Sequence, residues 1–127
     1  MPDKNDAGRP LTGKRLLTLQ LQFPEPPSLA GRFSVHVVVE DVGEADAPAP
    51  VLYKTEVHEL AIGPDGQVEP FELAIPDVGN AVEPAIRVHV DQGATGTLTE
   101  GDFINPARLR LPDAGQAHCD VPLVKIR

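Results

Sequence analysis

The amino-acid sequence predicts an all-β protein, in the form of an antiparallel two-sheet β-sandwich of seven or eight short strands. Apolar and polar residues alternate along several stretches, which is the period of a strand with one solvated face. The 14 prolines and 11 glycines lie between these stretches, as turns do in a many-stranded protein. No segment keeps a helical period for more than about two turns. Two stacked sheets would bury the apolar stripes against each other, although a closed barrel fits the same pattern.

The length of 127 residues predicts one domain, which is large enough to bury a core without disulfides or metal. Residues 1–13 are polar and contain Gly and Pro, and we expect them to form a mobile tail. The sandwich domain then covers residues 14–127. Because the chain has no Trp and only 4 Phe, its core must consist mainly of branched aliphatic side chains, which favour strands.

The first part of the chain has alternating stretches at residues 16–23, 32–42, 51–60 and 67–75. Pro24 ends the first stretch, since proline cannot donate to a strand ladder, and Pro70 places the start of the fourth at an edge or bulge. On the third stretch Leu52 weakens the contrast between the two faces. The residues expected to point inward are Leu17, Leu19, Leu21, Phe23, Phe33, Val35, Val37, Val39, Val51, Tyr53, Thr55, Val57, Phe71, Leu73 and Ile75. Those expected on the other face of the second strand are Ser34, His36, Val38 and Glu40.

The rest of the chain is predicted to contain further strands at residues 85–92, 97–100, 107–111 and 118–126. The last two are expected to form a pair joined through residues 112–115, and Pro122 places the final strand at a sheet edge. Turns are predicted at residues 63–66 and 93–96, and a short helical turn near residues 78–81. The inward positions are Ile86, Val88, Val90, Ala107, Leu109 and Leu111, and the outward ones are Arg87, His89, Arg108 and Arg110.

The net charge of −8 argues against a nucleic-acid partner and against an anionic membrane surface. No apolar run is long enough to span a membrane, and no signal peptide is evident. As written, the chain is expected to be cytoplasmic, or to belong to the cell envelope if its true N-terminus carries an export signal. These two localisations stay open.

The single cysteine, Cys119, excludes an internal disulfide. Its neighbours His118 and Asp120 raise the question of a nucleophile. However, Cys119 is in phase with Val121 and Leu123 on an alternating strand, and we expect it to be a buried small hydrophobe.

The remaining polar clusters give no constellation with recognised ligand or catalytic spacing. The acidic residues Glu40, Asp41, Glu44 and Asp46 do not have the spacing of a calcium loop, and we expect turn-forming contacts instead. His36 and His89 would approach each other if their strands are neighbours, but His58 and His118 lie elsewhere and no zinc-ligand spacing is present. The serines, Ser28 and Ser34, do not lie in a nucleophile turn. No catalytic, cofactor-binding or metal-ligating residue is therefore predicted.

One region resembles a known family, the bacterial YbaY-type lipoproteins, which include the YscW-type type III secretion pilot lipoprotein. The resemblance covers roughly residues 32–111, and it rests on residues 39–42 (VEDV), 45–48 (ADAP), 51–52 (VL), 69–73 (EPFEL), 86–96 and 103–106. It implies a small β-sandwich without catalysis and, for the pilot members, a chaperone-like role in the assembly of an outer-membrane secretin ring. The chain departs from that family in lacking a lipoprotein signal with its cysteine, and in having the additional region 112–127.

The sequence thus favours a non-enzymatic protein-interaction or assembly module, with an unidentified protein partner and no evident small-molecule substrate. Its contact surface would be a sheet edge, through strand addition, or the outer face that carries His36, Val38 and Arg87. The alternative is a small-ligand or metal-binding β domain that uses the acidic loop or the histidines. An enzyme is the least favoured of the three hypotheses.

Overall fold

The computed structural model describes residues 14–25, 33–43, 48–58, 68–76, 81–93, 95–106, 108–113 and 115–126. In this part of the chain all regular structure is β, and no helix there is long and apolar enough to cross a membrane. The predicted tail 1–13, the turn 63–66, residues 78–80 of the predicted helical turn, Glu44 and Asp46 lie outside the described residues. The strands are β1 (Lys14–Gln22), β2 (Ser34–Asp41), β3 (Val51–His58), β4 (Phe71–Pro76), β5 (Pro84–Asp91), β6 (Phe103–Ile104), β7 (Leu109–Arg110), β8 (His118–Pro122) and β9 (Val124–Lys125).

These strands form two sheets, which confirms the predicted β-sandwich class. The larger sheet has the order β9-β6-β5-β2-β3, with the short β7 also paired to β5. The smaller sheet has the order β4-β1-β8. All pairs are antiparallel except β1 with β8, which are parallel. The described part of the chain thus has nine strands against the seven or eight predicted, because the predicted strand at residues 118–126 forms both β8 and β9.

The core lies between the inner faces of the two sheets, and alternation predicted most of it. Val37, Val39, Val88 and Val90 are fully buried, and they face Leu17, Leu19, Ile75 and Val121 in one apolar cluster. Cys119 belongs to this cluster, as expected from its phase with Val121 and Leu123. Phe23 is partly buried and meets Phe103 edge-on, with ring centroids 5.0 Å apart.

The last two predicted strands do not pair with each other. Strand β7 pairs with β5 in the larger sheet, whereas β8 pairs with β1 in the smaller sheet. The guanidinium of Arg15 on β1 holds their connection, since it donates to the carbonyl oxygens of Pro112, Asp113 and Gln116 at 2.7, 3.0 and 2.9 Å. This connection therefore crosses between the sheets, which explains why β8 joins β1 in parallel.

Proline 122 marks the place where the chain changes sheet. Strand β8 ends at Pro122 on the edge of the smaller sheet, as predicted, and β9 then pairs with β6 in the larger sheet. The predicted strand at residues 118–126 is thus divided in two. Pro122 has no N–H to donate, and the N–H of the next residue, Leu123, donates to the carbonyl oxygen of Gln22 on β1 at 3.0 Å.

Strand β3 departs from simple alternation at its start. The register with β2 shifts between Val39, which pairs with Tyr53, and Glu40, which pairs with Val51. This bulge turns Leu52 toward the core and leaves Val51 exposed, so the inward position predicted for Val51 was wrong. One extra residue in a strand reverses the faces of the residues that precede it.

Candidate functional site

Two histidines meet on the outer face of the larger sheet. The antiparallel register of β2 and β5 places His36 opposite His89, and Ser34 opposite Asp91. The imidazole rings of His36 and His89 stack with centroids 5.3 Å apart and an interplanar angle of 23°. The approach of these histidines was predicted on the condition that their strands are neighbours, and the sheet order fulfils it.

Asp91, the last residue of β5, is a buried acceptor beside this pair, with a fully buried side chain. Its Oδ1 accepts the backbone N–H of Thr95 at 3.0 Å, and its Oδ2 accepts that of Gly96 at 2.8 Å. Burial alone would raise the pKa of Asp91, but the N–H groups of Gly96 and Thr95 and the contact with His36 outweigh it, and the pKa lies below its ordinary value. Asp91 is therefore held as a carboxylate.

Asp102 is the second buried carboxylate, just before β6, and only 1% of it is exposed. Its Oδ1 accepts the backbone N–H of Gln92 at 3.0 Å, and its Oδ2 accepts that of Thr99 at 3.1 Å. His89 contacts the same Oδ2 through Nε2 at 2.7 Å. The two aspartates thus organise the β5–β6 loop from its two ends.

This loop corrects one prediction, since residues 97–100 do not form a strand. The N–H of Thr99 donates to Asp102 Oδ2 and that of Thr97 donates to Thr95 Oγ1, so these donors bond within the loop instead of to a neighbouring strand. Gly96 has a positive φ of 83°, a conformation that glycine adopts without strain. β propensity alone predicts a strand for this threonine-rich stretch, but it belongs to the loop whose N–H groups donate to the buried carboxylates of Asp91 and Asp102.

We call His36, His89, Asp91 and Asp102 the His–Asp cluster. One ligand atom from each of His89, Asp91 and Asp102 lies within 4.8 Å of the others. His36 lies beside this group of three, and its Nε2 is 3.4 Å from Asp91 Oδ2. Ser34, predicted on the outer face, lies opposite Asp91 and is only 1% exposed, with its Oγ 3.2 Å from His36 Nε2.

His36 also links a serine to a carboxylate in the order of a hydrolase triad. Its Nε2 lies 3.2 Å from Ser34 Oγ, and its Nδ1 lies 3.3 Å from Glu56 Oε2. The sequence did not predict this arrangement, because the three residues come from two strands. A nucleophile must meet its substrate, however, and the burial of Ser34 leaves its hydroxyl out of reach.

Two surface cavities of about 380 Å³ each lie near these elements. The first follows the edge strand β3, and its lining residues are His36, Val38, Lys54, Thr55 and Glu56. The second lies beside β7 and β8, and its lining residues are Leu109, Arg110, Leu111, Pro112, Asp113, Gln116, Cys119 and Asp120. Burial, followed by the charge of Asp120, raises the pKa of the Cys119 thiol, which is the opposite of nucleophile activation.

Of the acidic residues singled out from the sequence, Glu40 and Asp41 are described, and Asp41 forms turn contacts. Asp41 accepts backbone N–H groups from Gly43 at 3.1 Å, from Val82 at 3.0 Å and from Glu83 at 2.9 Å. The turn-forming role predicted for Asp41 is confirmed, and its partners include a segment distant in the sequence. His58 contacts Glu56, and His118 contacts the exposed Asp120 at the other sheet.

The sequence analysis missed Asp91 and Asp102. Both lie at the ends of a segment rich in glycine and threonine, DQGATGTLTEGD, at residues 91–102. Aspartates at both ends of such a segment are candidates for accepting loop N–H groups, since Asp side chains bond nearby backbone donors in turns. The glycines alone predict a tight turn at residues 93–96, whereas the aspartates at positions 91 and 102 also indicate which groups accept the N–H donors of this loop.

Comparison with known proteins supports the fold and does not identify a function. No protein-family model matches the chain, and no curated protein matches it. Among solved structures, the chain is similar to an alternative pilotin from the type II secretion system of Vibrio cholerae, with a TM-score of 0.67 and 19% identity. The match covers 90% of this chain and 98% of the pilotin. The chain therefore has a pilotin-like β-sandwich fold.

Proposed function

We propose that this chain is a non-enzymatic assembly module that binds a protein partner. The observation that carries the proposal is the fold that it shares with the type II secretion pilotin over almost the whole of both chains. The resemblance of residues 32–111 to the YbaY-type lipoproteins and YscW-type pilots, drawn from the sequence, points to the same kind of role. A fold supports many functions, so the contact surface must come from this chain's own residues.

The surface that fits a partner best follows β3. This strand is eight residues long and ends the strand order of the larger sheet, and no other described strand pairs with its outer side. An edge strand of this length offers backbone N–H and C=O groups to an added strand. Its bulge at Leu52 interrupts that edge at one end only, which leaves residues 53–58 regular.

The groove beside this edge supplies side-chain contacts. Val38 and Thr55 give it apolar area, while Lys54 and Glu56 give it charges of both signs. Strand addition gains affinity from backbone hydrogen bonds and specificity from pockets for alternate side chains. We name the edge of β3 and its groove the β3 surface, and we propose it as the contact site for an extended segment of the partner.

The absence of enzymatic activity is part of the same proposal. Among the described residues, Ser34 is buried and the thiol of Cys119 is held in its protonated form by burial. Cys119 lines one of the two cavities, and its raised pKa is the opposite of what activates a nucleophile.

Site-specific photo-cross-linking in the cells that make the protein tests the proposal. A photoreactive amino acid replaces Lys54 on the β3 surface and, as a matched control, replaces the exposed Val124 on the opposite edge of the same sheet. We expect one dominant protein adduct from position 54 and none from position 124. Val38→Glu should remove the adduct, whereas Val124→Glu should leave it unchanged.

Two results would contradict the proposal. Equal labelling from the two positions would show that the β3 surface is not a specific contact site. The lack of any adduct at position 54, with the folded protein present at its normal level, would show that no partner binds there.

A further inference from the structure

The His–Asp cluster places two buried carboxylates side by side without the usual cationic partners. Asp91 and Asp102 are 0% and 1% exposed, and among the described residues no lysine or arginine forms an ion pair with either. The groups that can carry positive charge there are His36 and His89. Since burying charge without a counter-charge is costly, the cluster needs a cation from these rings or from outside.

The contacts of His36 point to a cation between it and Asp91. A neutral imidazole carries one N–H, yet His36 faces a carboxylate at each ring nitrogen, with Glu56 Oε2 3.3 Å from Nδ1 and Asp91 Oδ2 3.4 Å from Nε2. If the proton lies on Nδ1, the Ser34 hydroxyl, 3.2 Å away, can donate to the lone pair of Nε2, but the carboxylate of Asp91 still faces the same nitrogen. A metal ion between Nε2 and Asp91 removes the remaining repulsion.

Protonating both rings is the competing solution, and the stacking disfavours it. Two imidazolium rings with centroids 5.3 Å apart would repel each other in a site that is largely shielded from water. One divalent cation neutralises both aspartates and leaves both rings neutral. We therefore propose that His89, Asp91 and Asp102, whose ligand atoms lie within 4.8 Å of one another, bind one divalent transition-metal ion, with Zn²⁺ as its representative, and that the His36 ring shifts toward the ion to become the fourth ligand.

The ligand set favours zinc over calcium or magnesium. Calcium and magnesium prefer oxygen ligands only, whereas two imidazole nitrogens with two carboxylate oxygens suit Zn²⁺ in a four-coordinate site. Tetrahedral zinc with bonds of about 2.0–2.2 Å separates its ligand atoms by about 3.3 Å. The 3.4 Å between His36 Nε2 and Asp91 Oδ2 already fits this spacing. The 2.7 Å between His89 Nε2 and Asp102 Oδ2 must widen as the ion replaces the shared proton.

The surrounding contacts are those of a supported metal site. Glu56 orients His36 through Nδ1, which is the carboxylate–histidine arrangement that commonly positions zinc ligands. Backbone N–H groups of Thr95, Gly96, Gln92 and Thr99 hold the two carboxylates in place. The hydroxyls of Thr95 and Thr99 add contacts to Asp91 Oδ1 at 3.4 Å and to Asp102 Oδ2 at 3.2 Å.

Titration of the EDTA-treated, desalted full chain with ZnCl₂ tests the proposal by calorimetry. We expect saturable binding of one equivalent, and we expect Co²⁺ in place of Zn²⁺ to give the visible absorption of a four-coordinate site. His89→Gln should weaken binding at least tenfold. His118→Gln is the matched control, because His118 pairs with an aspartate, Asp120, at 2.9 Å but is exposed, and it should leave the affinity unchanged.

Nuclear magnetic resonance of the imidazole nitrogens in the unmodified chain gives a second measurement that does not depend on a variant folding. Zn²⁺ should shift the ring signals of His36 and His89 and leave those of His58 and His118 in place. The proposal is overturned if the wild-type chain shows no saturable binding, if H118Q weakens binding as much as H89Q, or if the shifts appear at His58 or His118 instead.

Discussion

The two faces of the strand pair β2–β5 follow different rules, although they consist of neighbouring residues on the same backbone. The inner face carries Val35, Val37 and Val39 and their partners on β5, and it is uniformly apolar and buried. The outer face is mainly polar, with Val38 as an apolar exception, and its two ends differ: Ser34 and Asp91 are buried at one end, and at the other, open end Arg87 is 61% exposed and pairs with Glu40. Burial on the inner face comes from packing against the second sheet. Burial at one end of the outer face comes from a loop that is held by hydrogen bonds.

The largest expected effect comes from removing a carboxylate at the buried end. Asp102→Ala leaves the N–H groups of Gln92 and Thr99 and the ring of His89 without their acceptor, and we expect the free energy of unfolding to fall by about 3 kcal/mol or more. Urea unfolding in the presence of EDTA measures this loss without any contribution from bound metal. Asp120→Ala is the control, since its exposed pair with His118 should contribute less than about 1 kcal/mol. An equal decrease in the free energy of unfolding of the two variants would show that burial does not make the contacts of Asp102 more stabilising than those of the exposed Asp120.

The next effect compares adjacent residues on opposite faces. Val37→Ala removes two buried carbons, each worth about 0.8 kcal/mol before the cavity cost, and we expect a loss of about 2 kcal/mol or more. Val38→Ala, on the outer face and only half-buried, should cost less than about 1 kcal/mol. Both values come from the same chemical denaturation experiment. A cost at Val38 that equals the cost at Val37 would show that the outer face is packed like the core.

The inner face was predictable because alternation is a local signal. Val35, Val37 and Val39 repeat with the period of a strand, and any partner sheet must bury them. The burial of Ser34, Asp91 and Asp102 was not predictable in this way, since a polar residue becomes buried only when distant groups supply its hydrogen bonds. The stacking of His36 on His89 was partly predictable. Alternation placed each ring on the outer face of its own strand, but only the strand order of the sheet shows that β2 and β5 are neighbours.

The crossing of the last part of the chain shows the same limit on topology. Alternation identified β8 and its edge position, which Pro122 indicates through its missing N–H. It did not indicate that β7 and β8 belong to different sheets. The connection between them is held by Arg15, which donates to three carbonyl oxygens about a hundred positions away in the sequence, and no local pattern contains such a contact.

A pH-dependent effect should appear at Asp41, next to the open end of the outer face. Hydrogen bonds from the N–H groups of Glu83, Val82 and Gly43 hold its pKa below the ordinary value. A carboxyl with a lowered pKa in the folded state stabilises the fold above its unfolded pKa, about 3.9, and loses this contribution as the pH falls through the folded pKa. Asp41→Asn should therefore lower Tm by a few degrees at neutral pH, and the difference from wild type should shrink below about pH 4. A difference in Tm that stays constant down to pH 2 would show that the charge of Asp41 is not what binds these N–H groups.

The smallest expected effect tests the open end itself. Arg87 lies 61% exposed and contacts the Glu40 carboxylate at 3.3 Å, in a surface pair that water and salt screen. We expect Arg87→Ala to change the free energy of unfolding by no more than about 0.5 kcal/mol, and the change should vanish in high salt. Urea unfolding at low and high ionic strength measures both quantities. A loss above about 1.5 kcal/mol that persists in salt would mean that this end is covered in the folded chain, as the Asp91 end is. Both ends of the outer face would then be buried polar surface. The inner and outer faces of β2–β5 would still differ, but the Asp91 end and the Arg87 end of the outer face would not.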